Sequence, residues 1–319
     1  MHGWIILDKP LGLGSTQGVS AVKRALRDGK YGKFKVGHGG TLDPLATGVL
    51  PISIGEATKL AGRMLDSDKV YDFTIAFGTQ TDTLDLEGKA IATSEVRPTF
   101  AQVEAVLPRF TGPIEQVPPA YSALKVDGER AYDLARAGEE VKLASRSVVI
   151  HSLQIRDPGE NRDLGQSGGT GAARDPDLRR DDEVGLGEIT LTAHVSKGTY
   201  IRSLARDIAL ALGSVGHVTM LRRVKAGPFT LDSAISLDKL DEAAKGRTLE
   251  QILLPLRAGL DDIPALSLTP DQAGLLRQGR VLAGIAKEDG QYFACLEDIP
   301  IALVEALSGE IRVVRGFNI

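Results

Sequence analysis

The chain has 319 residues, 42% of them hydrophobic and 25% charged, and a formal net charge of −4. These are globular values that exclude disorder throughout, and the length suits a large domain with a smaller one. The single cysteine, Cys295, excludes an intramolecular disulfide. No apolar run approaches the roughly 20 residues of a membrane span, and the start "MHGWIILDKPLG" lacks a secretory pattern, so a cytoplasmic protein is expected.

"WIILDKP" reads as a buried strand entering a turn. "STQGVSAVKRALRDG" follows as a helix with Ser15 or Thr16 as cap and Gly29 as stop. Lys23, Arg24, Arg27, Lys30, Lys33 and Lys35 then crowd the approach to "GHGGTLDPLATGVLP", Gly37 to Pro51. A solvated helix face is the ordinary reading of such a run, and a phosphate-binding surface competes with it because the net charge averages over patches of opposite sign.

"VYDFTIAFG" alternates Tyr71, Phe73, Ile75 and Phe77 against Asp72, Thr74 and Ala76, as a strand does. "RPTFAQVEAVLPRFTG" has helical spacing and "EITLTAHV" is a further alternating strand. Residues 157–183 hold almost no apolar side chains and are expected to be a disordered insertion between two strands. "TYIRSLARDIALALG" places Ile201, Leu204, Ala205, Ile208 and Leu212 on one helical face and leaves Arg202 and Arg206 on the other.

Near "AAKGRTLEQILLPL" the texture changes to short strands and turns. Within this tail "TPDQAGLLRQG" is a helix capped by Thr269, with Pro270 at its first position and Gly279 as stop. The irregular alternation of strands and helices fits an α+β protein better than a doubly wound sheet. The expected division is 1–246 for the main domain and 247–319 for a compact β-rich module.

Three chemistries can be tested against "GHGGTLDPLATG". A P-loop needs Lys and Ser or Thr after its second glycine, and Thr41-Leu42 stand there instead. The five histidines, His2, His38, His151, His194 and His217, are scattered without ligand spacing, so no metal is expected, although ligands distant in sequence can converge in a fold. A lone carboxylate can serve as a nucleophile when a cation keeps it ionised, and Asp43 suits that role. The bland alternative makes Asp43 the cap of a helix beginning at Pro44. Arg202, delivered with Tyr200 by the "SKGTY" turn, offers the cation, though the ordinary reading of the residue by itself is a surface arginine at a helix start. Tyr71 could be core packing, a ring stacked on a base, or a proton-handling hydroxyl.

Six signatures in order resemble the TruB-type tRNA pseudouridine synthases: "DKPLG", "GHGGTLDPLATGVLP", "KVY" followed by "GTQTDTLDLEG", "QVPPAYSALKVDGERAYDLAR", "SKGTYIRSLARDI" and "LRRVKAGPF". The resemblance implies a pseudouridine synthase fold, a mixed and largely antiparallel sheet flanked by helices, with a C-terminal domain similar to the PUA module. It implies isomerisation of the T-loop uridine at tRNA position 55 by flipping out the base, detaching it, rotating it and rejoining it through carbon. No cofactor, metal or obligatory protein partner is implied, and a monomer is expected. The family's nucleophile falls on Asp43, its base-contacting tyrosine on Tyr71 and its carboxylate-pairing arginine on Arg202. His38 matches the histidine that fills the space left by flipped bases. Gly40, Thr41, Lys69, Tyr200 and Leu221 are expected to bind substrate, and Lys23, Arg24 and Lys35 to face phosphates. Gly39 stands where many members carry threonine, and Gly14 precedes Ser15 where "TS" is usual. A catalytically silent RNA-binding or tRNA-folding protein of the same fold is the competing reading.

Overall fold

The computed structural model describes residues 1–122, 124–126, 128–138, 141, 143–156 and 184–319. The expected disordered insertion at 157–183 lies outside the described residues. The chain divides into two compact units: Met1–Ser67 with Lys225–Ile319, and Asp68–Val224.

In the first unit β1 (Gly3–Lys9) leads to α1 (Ser15–Asp28), β2 (Val36–His38), β3 (Ala46–Ile54) and the short α2 (Ala61–Asp66). β1 and β2 both run antiparallel to β3. The apolar run of β1 is buried on both faces, which is why it reads as continuous and not alternating. The cap of α1 is Gly14, not Ser15 or Thr16. Gln17 closes the capping role by accepting from the Gly14 N–H at 2.7 Å, which releases Ser15 for a different task. Gly29 ends the helix as expected.

The second unit begins with β4 (Lys69–Phe77) and the ribbon of β5 (Thr79–Thr81) and β6 (Ala90–Thr93), followed by α3 (Phe100–Val106) and β7 (Gly112–Gln116). A small ribbon of β8 (Lys125–Val126) and β9 (Glu129–Arg130) precedes α4 (Ala131–Arg136). Then come β10 (Arg146–Ile155), β11 (Glu188–Val195), α5 (Ile201–Ala211) and β12 (Gly216–Ala226), whose last two residues open the second segment of the first unit. The strand order here is β12-β4-β11-β10-β7. Phe73, Ile75 and Phe77 on β4 meet Ile189, Leu191 and Ala193 on β11, and α5 covers them with Leu204, Ala205 and Ile208. The opposite face of β4 is also covered: Asp72 accepts from Thr192 at 2.6 Å and pairs with Arg156, and the Thr74 and Thr190 hydroxyls are 2.8 Å apart. Buried polar groups are tolerated there because each is hydrogen-bonded.

Back in the first unit, β13 (Phe229–Thr230), α6 (Leu237–Gly246) and β14 (Leu254–Pro255) lead to β15 (Ala265–Ser267) and α7 (Pro270–Arg277). The chain ends with β16 (Leu282–Ala283), β17 (Gly290–Leu296), β18 (Ile299–Leu307) and β19 (Glu310–Gly316). The last five strands form a separate sheet in the order β15-β17-β18-β19-β16. This C-terminal β domain has its own core around Leu276, Ile301, Val304 and Ile311. Its Phe293, Leu303 and Phe317 join Trp4, Leu60 and Met64 in a second cluster of the same unit. Thr269 caps α7 by accepting from Gln272 N–H, as its sequence predicts.

Candidate active site and nucleic-acid interface

The first unit carries the glycine-rich stretch. Asp43 does not cap a helix: its carbonyl accepts from Ala46 N–H at 3.0 Å, making a turn with Pro44 at the second position. Two further groups tie the turn from below through the carbonyl of Pro44. The Gly12 N–H donates to it at 2.9 Å and the Lys9 ammonium at 3.2 Å. Lys9 is fully buried and also donates to the carbonyls of Pro10 and Leu13. Ser15, freed from capping, makes a reciprocal pair with Leu42: its Oγ donates to the Leu42 carbonyl at 2.9 Å and accepts from the Leu42 N–H at 2.8 Å. Asp43 therefore sits on backbone fixed on both sides, half-buried.

The glycines have separate reasons. Gly40 has φ +133°, a conformation L side chains rarely adopt. Gly39 is buried, and a Cβ there would lie 2.5 Å from Met64 Cβ, so any side chain at this position forces the neighbouring backbone or Met64 to shift. His38 is half-buried on β2 opposite Ile52, and Thr41 is exposed. Lys23, Arg24 and Lys35 are all exposed, with Arg27 and Lys33, so this unit does present a basic surface beside the motif.

The second unit holds Tyr71, Lys69, Tyr200, Arg202 and Leu221. Tyr71 and Leu221 are partly buried against the β4–β11–α5 core, and Lys69 is buried. Gln116 clamps the backbone of Tyr200 from both sides, accepting from its N–H at 2.8 Å and donating to its carbonyl at 3.2 Å. The Arg146 guanidinium lies over the Tyr200 ring, 4.8 Å from its centroid.

Arg202 is not on an exposed face of α5 but 6% exposed. Its Nη1 lies 3.2 Å from Asp85 Oδ2 and donates to the Thr83 carbonyl at 2.9 Å, while Nη2 donates to the Tyr121 carbonyl at 3.1 Å. A cation in the first turn of a helix opposes the helix dipole, and no acidic residue shares that turn. Asp85 supplies the compensation. Its other oxygen accepts from the Thr83 hydroxyl and from the Glu87 N–H at 3.0 Å. The preceding residue, Leu84, is buried at φ +64°, a left-handed backbone conformation strained for a branched side chain. Nearby, burial and the Asp82 carboxylate push the Tyr121 hydroxyl above its ordinary pKa. In the sequence Asp85 is marked only by "TDTLDLEG", whose two aspartates and glycine make a tight turn. Arg206 is also satisfied within this unit, its Nε donating to Asp207 at 2.8 Å and its Nη2 to the Val117 carbonyl at 3.1 Å.

The fold defines the class first: a mixed α/β protein with one large mixed sheet and a C-terminal β domain. The structure titled "Structure of H/ACA RNP bound to a substrate RNA containing 2'-deoxyuridine" matches with TM-score 0.68 at 22% identity, covering 99% of this chain and 85% of that one. The "Crystal Structure of a Cbf5-Nop10-Gar1 Complex" matches with TM-score 0.66 at 23% identity over 99% of this chain and 84% of that one. The profile described as TruB family pseudouridylate synthase (N terminal domain) matches residues 27–201, and that of the tRNA pseudouridylate synthase B C-terminal domain matches 202–261. A relative from Novosphingobium aromaticivorans named tRNA pseudouridine synthase B is 63% identical over 100% of this chain and 98% of its own length. One of the same name from Zymomonas mobilis is 56% identical over 100% and 96%. The chain belongs to the TruB family of pseudouridine synthases. No helix among the described residues is long and apolar enough to cross a membrane.

Proposed function

We propose that this protein is a tRNA pseudouridine synthase that isomerises the T-loop uridine at position 55, with Asp43 as nucleophile. The observation that carries the reading is the turn at Asp43, pinned by Pro44, Lys9 and Ser15, in a chain that matches its named relatives from end to end. A carboxylate meant to attack a reacting carbon needs fixed backbone, because misplacement by an ångström costs orders of magnitude in rate. Tyr71 stacks on the target base and is the candidate for moving its proton. Arg202 provides the positive charge that keeps the nucleophile ionised. His38 fills the space left when the base is extruded, a step that costs a few kcal/mol of unstacking.

Gly40, Thr41, Lys69, Tyr200 and Leu221 line the flipped nucleotide. Lys23, Arg24 and Lys35 face phosphates, so binding weakens as salt rises. Residues 1–246 carry the chemistry and 247–319 act as a PUA-like RNA-binding module. The protein works in the cytoplasm as a monomer, without a cofactor or an obligatory partner protein.

The test is a uridine-containing tRNA transcript incubated with the protein and mapped by carbodiimide and primer extension. Modification at position 55 alone is expected. Asp43→Asn abolishes it while leaving tRNA affinity within about tenfold, since phosphate contacts carry most of the affinity. Turnover by a sequence-verified Asp43→Asn protein would remove Asp43 from the nucleophile's role. Tight tRNA binding with no modification by the wild type would favour the silent RNA-binding reading.

A further inference from the structure

The scattered histidines are not all scattered in space. His151 and His194 lie 43 positions apart in sequence, yet their rings are 4.7 Å apart between centroids, and both direct Nε2 at one carboxylate oxygen. Asp68 Oδ2 is 3.1 Å from His151 Nε2 and 3.8 Å from His194 Nε2. The three potential ligand atoms all fall within 4.8 Å of one another. Three elements deliver them: Asp68 immediately precedes β4, His194 lies on β11 opposite Val70, and His151 lies on β10.

The register explains the convergence. β10 and β11 pair in step at Ile150 with Val195, then slip so that Ser152 pairs with His194, leaving His151 as the extra residue of a bulge. Bulges re-aim side chains, and this one turns His151 beside its neighbour on β11 while Ile150 and Leu153 stay in the core. All three side chains are more than a third exposed, so an ion from solvent can reach them.

We propose that Asp68, His151 and His194 form a binding site for a borderline divalent transition metal, of the Zn²⁺ or Ni²⁺ type. Two imidazole nitrogens and one carboxylate oxygen are the ligand set of such ions, and imidazole does not suit Mg²⁺ or Ca²⁺. With bond lengths of about 2.0–2.2 Å, tetrahedral ligands stand about 3.3 Å from one another. The two nitrogen–oxygen separations bracket that value, and rotamer changes of the two histidines bring the set, already within 4.8 Å, to tetrahedral spacing. Three protein ligands leave the fourth position to water. The site lies on the sheet face opposite Tyr71: Ala193 pairs with Tyr71 on the core side, whereas His194 points the other way. It is therefore separate from Tyr71.

The test is calorimetric titration of the chelator-treated full chain with ZnCl₂ and with NiCl₂, alongside MgCl₂. One equivalent of Zn²⁺ and of Ni²⁺ is expected to bind, and no Mg²⁺. Loss of a mere supporting hydrogen bond around a metal costs 10–100-fold in affinity, so His151→Ala and His194→Ala should each cost at least about tenfold. The melting temperature without metal checks that each variant is folded. Asp68→Asn and His194→Gln, close in shape to the native residues, stand in for any alanine variant that is not. No saturable binding below about 1 mM, or Zn²⁺ binding unchanged in the folded variants, overturns the proposal.

Discussion

Asp85→Ala removes the carboxylate 3.2 Å from Arg202 Nη1, and both residues are less than a tenth exposed. Arg202 keeps its bonds to the Thr83 and Tyr121 carbonyls, so the guanidinium stays in place with less compensation for its charge. Breaking a buried pair from one side typically costs 3–5 kcal/mol. Because Arg202 keeps carbonyl acceptors, this case falls at the lower end, about 3 kcal/mol. For a chain of this length that corresponds to roughly 4–5 °C in melting temperature. Asp85→Asn, which retains an acceptor for the Glu87 N–H, should lose about half as much. Scanning calorimetry of Asp85→Ala, Arg202→Ala and the double variant completes the cycle. The double variant should be no less stable than either single one, because a partner left behind is costlier than an absent pair. Additive losses, or a loss below about 0.5 kcal/mol for Asp85→Ala, would refute the argument that Asp85 compensates Arg202.

Ser15→Ala strips the buried Leu42 N–H and carbonyl of their shared partner, at a cost of about 1–3 kcal/mol, and the loosened turn should lower single-turnover rates more than tRNA affinity. Gly39→Thr should destabilise by about 1–3 kcal/mol, read by thermal melting, because its Cβ meets Met64 Cβ and not the tip of a flexible chain. Glu56 gives a pH dependence. Burial alone would push its carboxyl up, but the Lys59 ammonium at 2.7 Å and the Asn318 N–H at 2.8 Å hold it below the ordinary value. A group lowered on folding stabilises above its unfolded pKa and loses that contribution as pH falls through the folded one. Glu56→Gln should thus be less stable than wild type at neutral pH, by on the order of 1 kcal/mol, with the gap in melting temperature closing below about pH 4.

Much of the first unit's motif was legible because proline and glycine act locally. Asp-Pro gave a turn, although whether it opened a helix depended on Lys9 and Gly12 meeting Pro44 from another part of the chain. Helical periodicity put Arg202 on the polar side of α5, which is correct as geometry and misleading as exposure. What buries that side is a loop more than a hundred residues earlier, carrying Thr83 and Asp85, and no apolar pattern marks it. Ser15 reads as a cap by residue type; Gly14 and Gln17 took that role between them. The meeting of His151 with His194 depends on strand register and a single bulge, which composition and spacing do not encode.

The burial of Lys9 makes its amine a clock for the turn beneath Asp43. An exposed lysine meets an acylating reagent freely, whereas Lys9, fully buried and bonded among others to the Pro10, Leu13 and Pro44 carbonyls, reacts only when that segment opens. Its labelling rate relative to an exposed lysine is then the fraction of time that segment spends open. Followed by mass spectrometry with and without RNA, that ratio measures how rigidly the backbone holds the carboxylate before any chemistry begins.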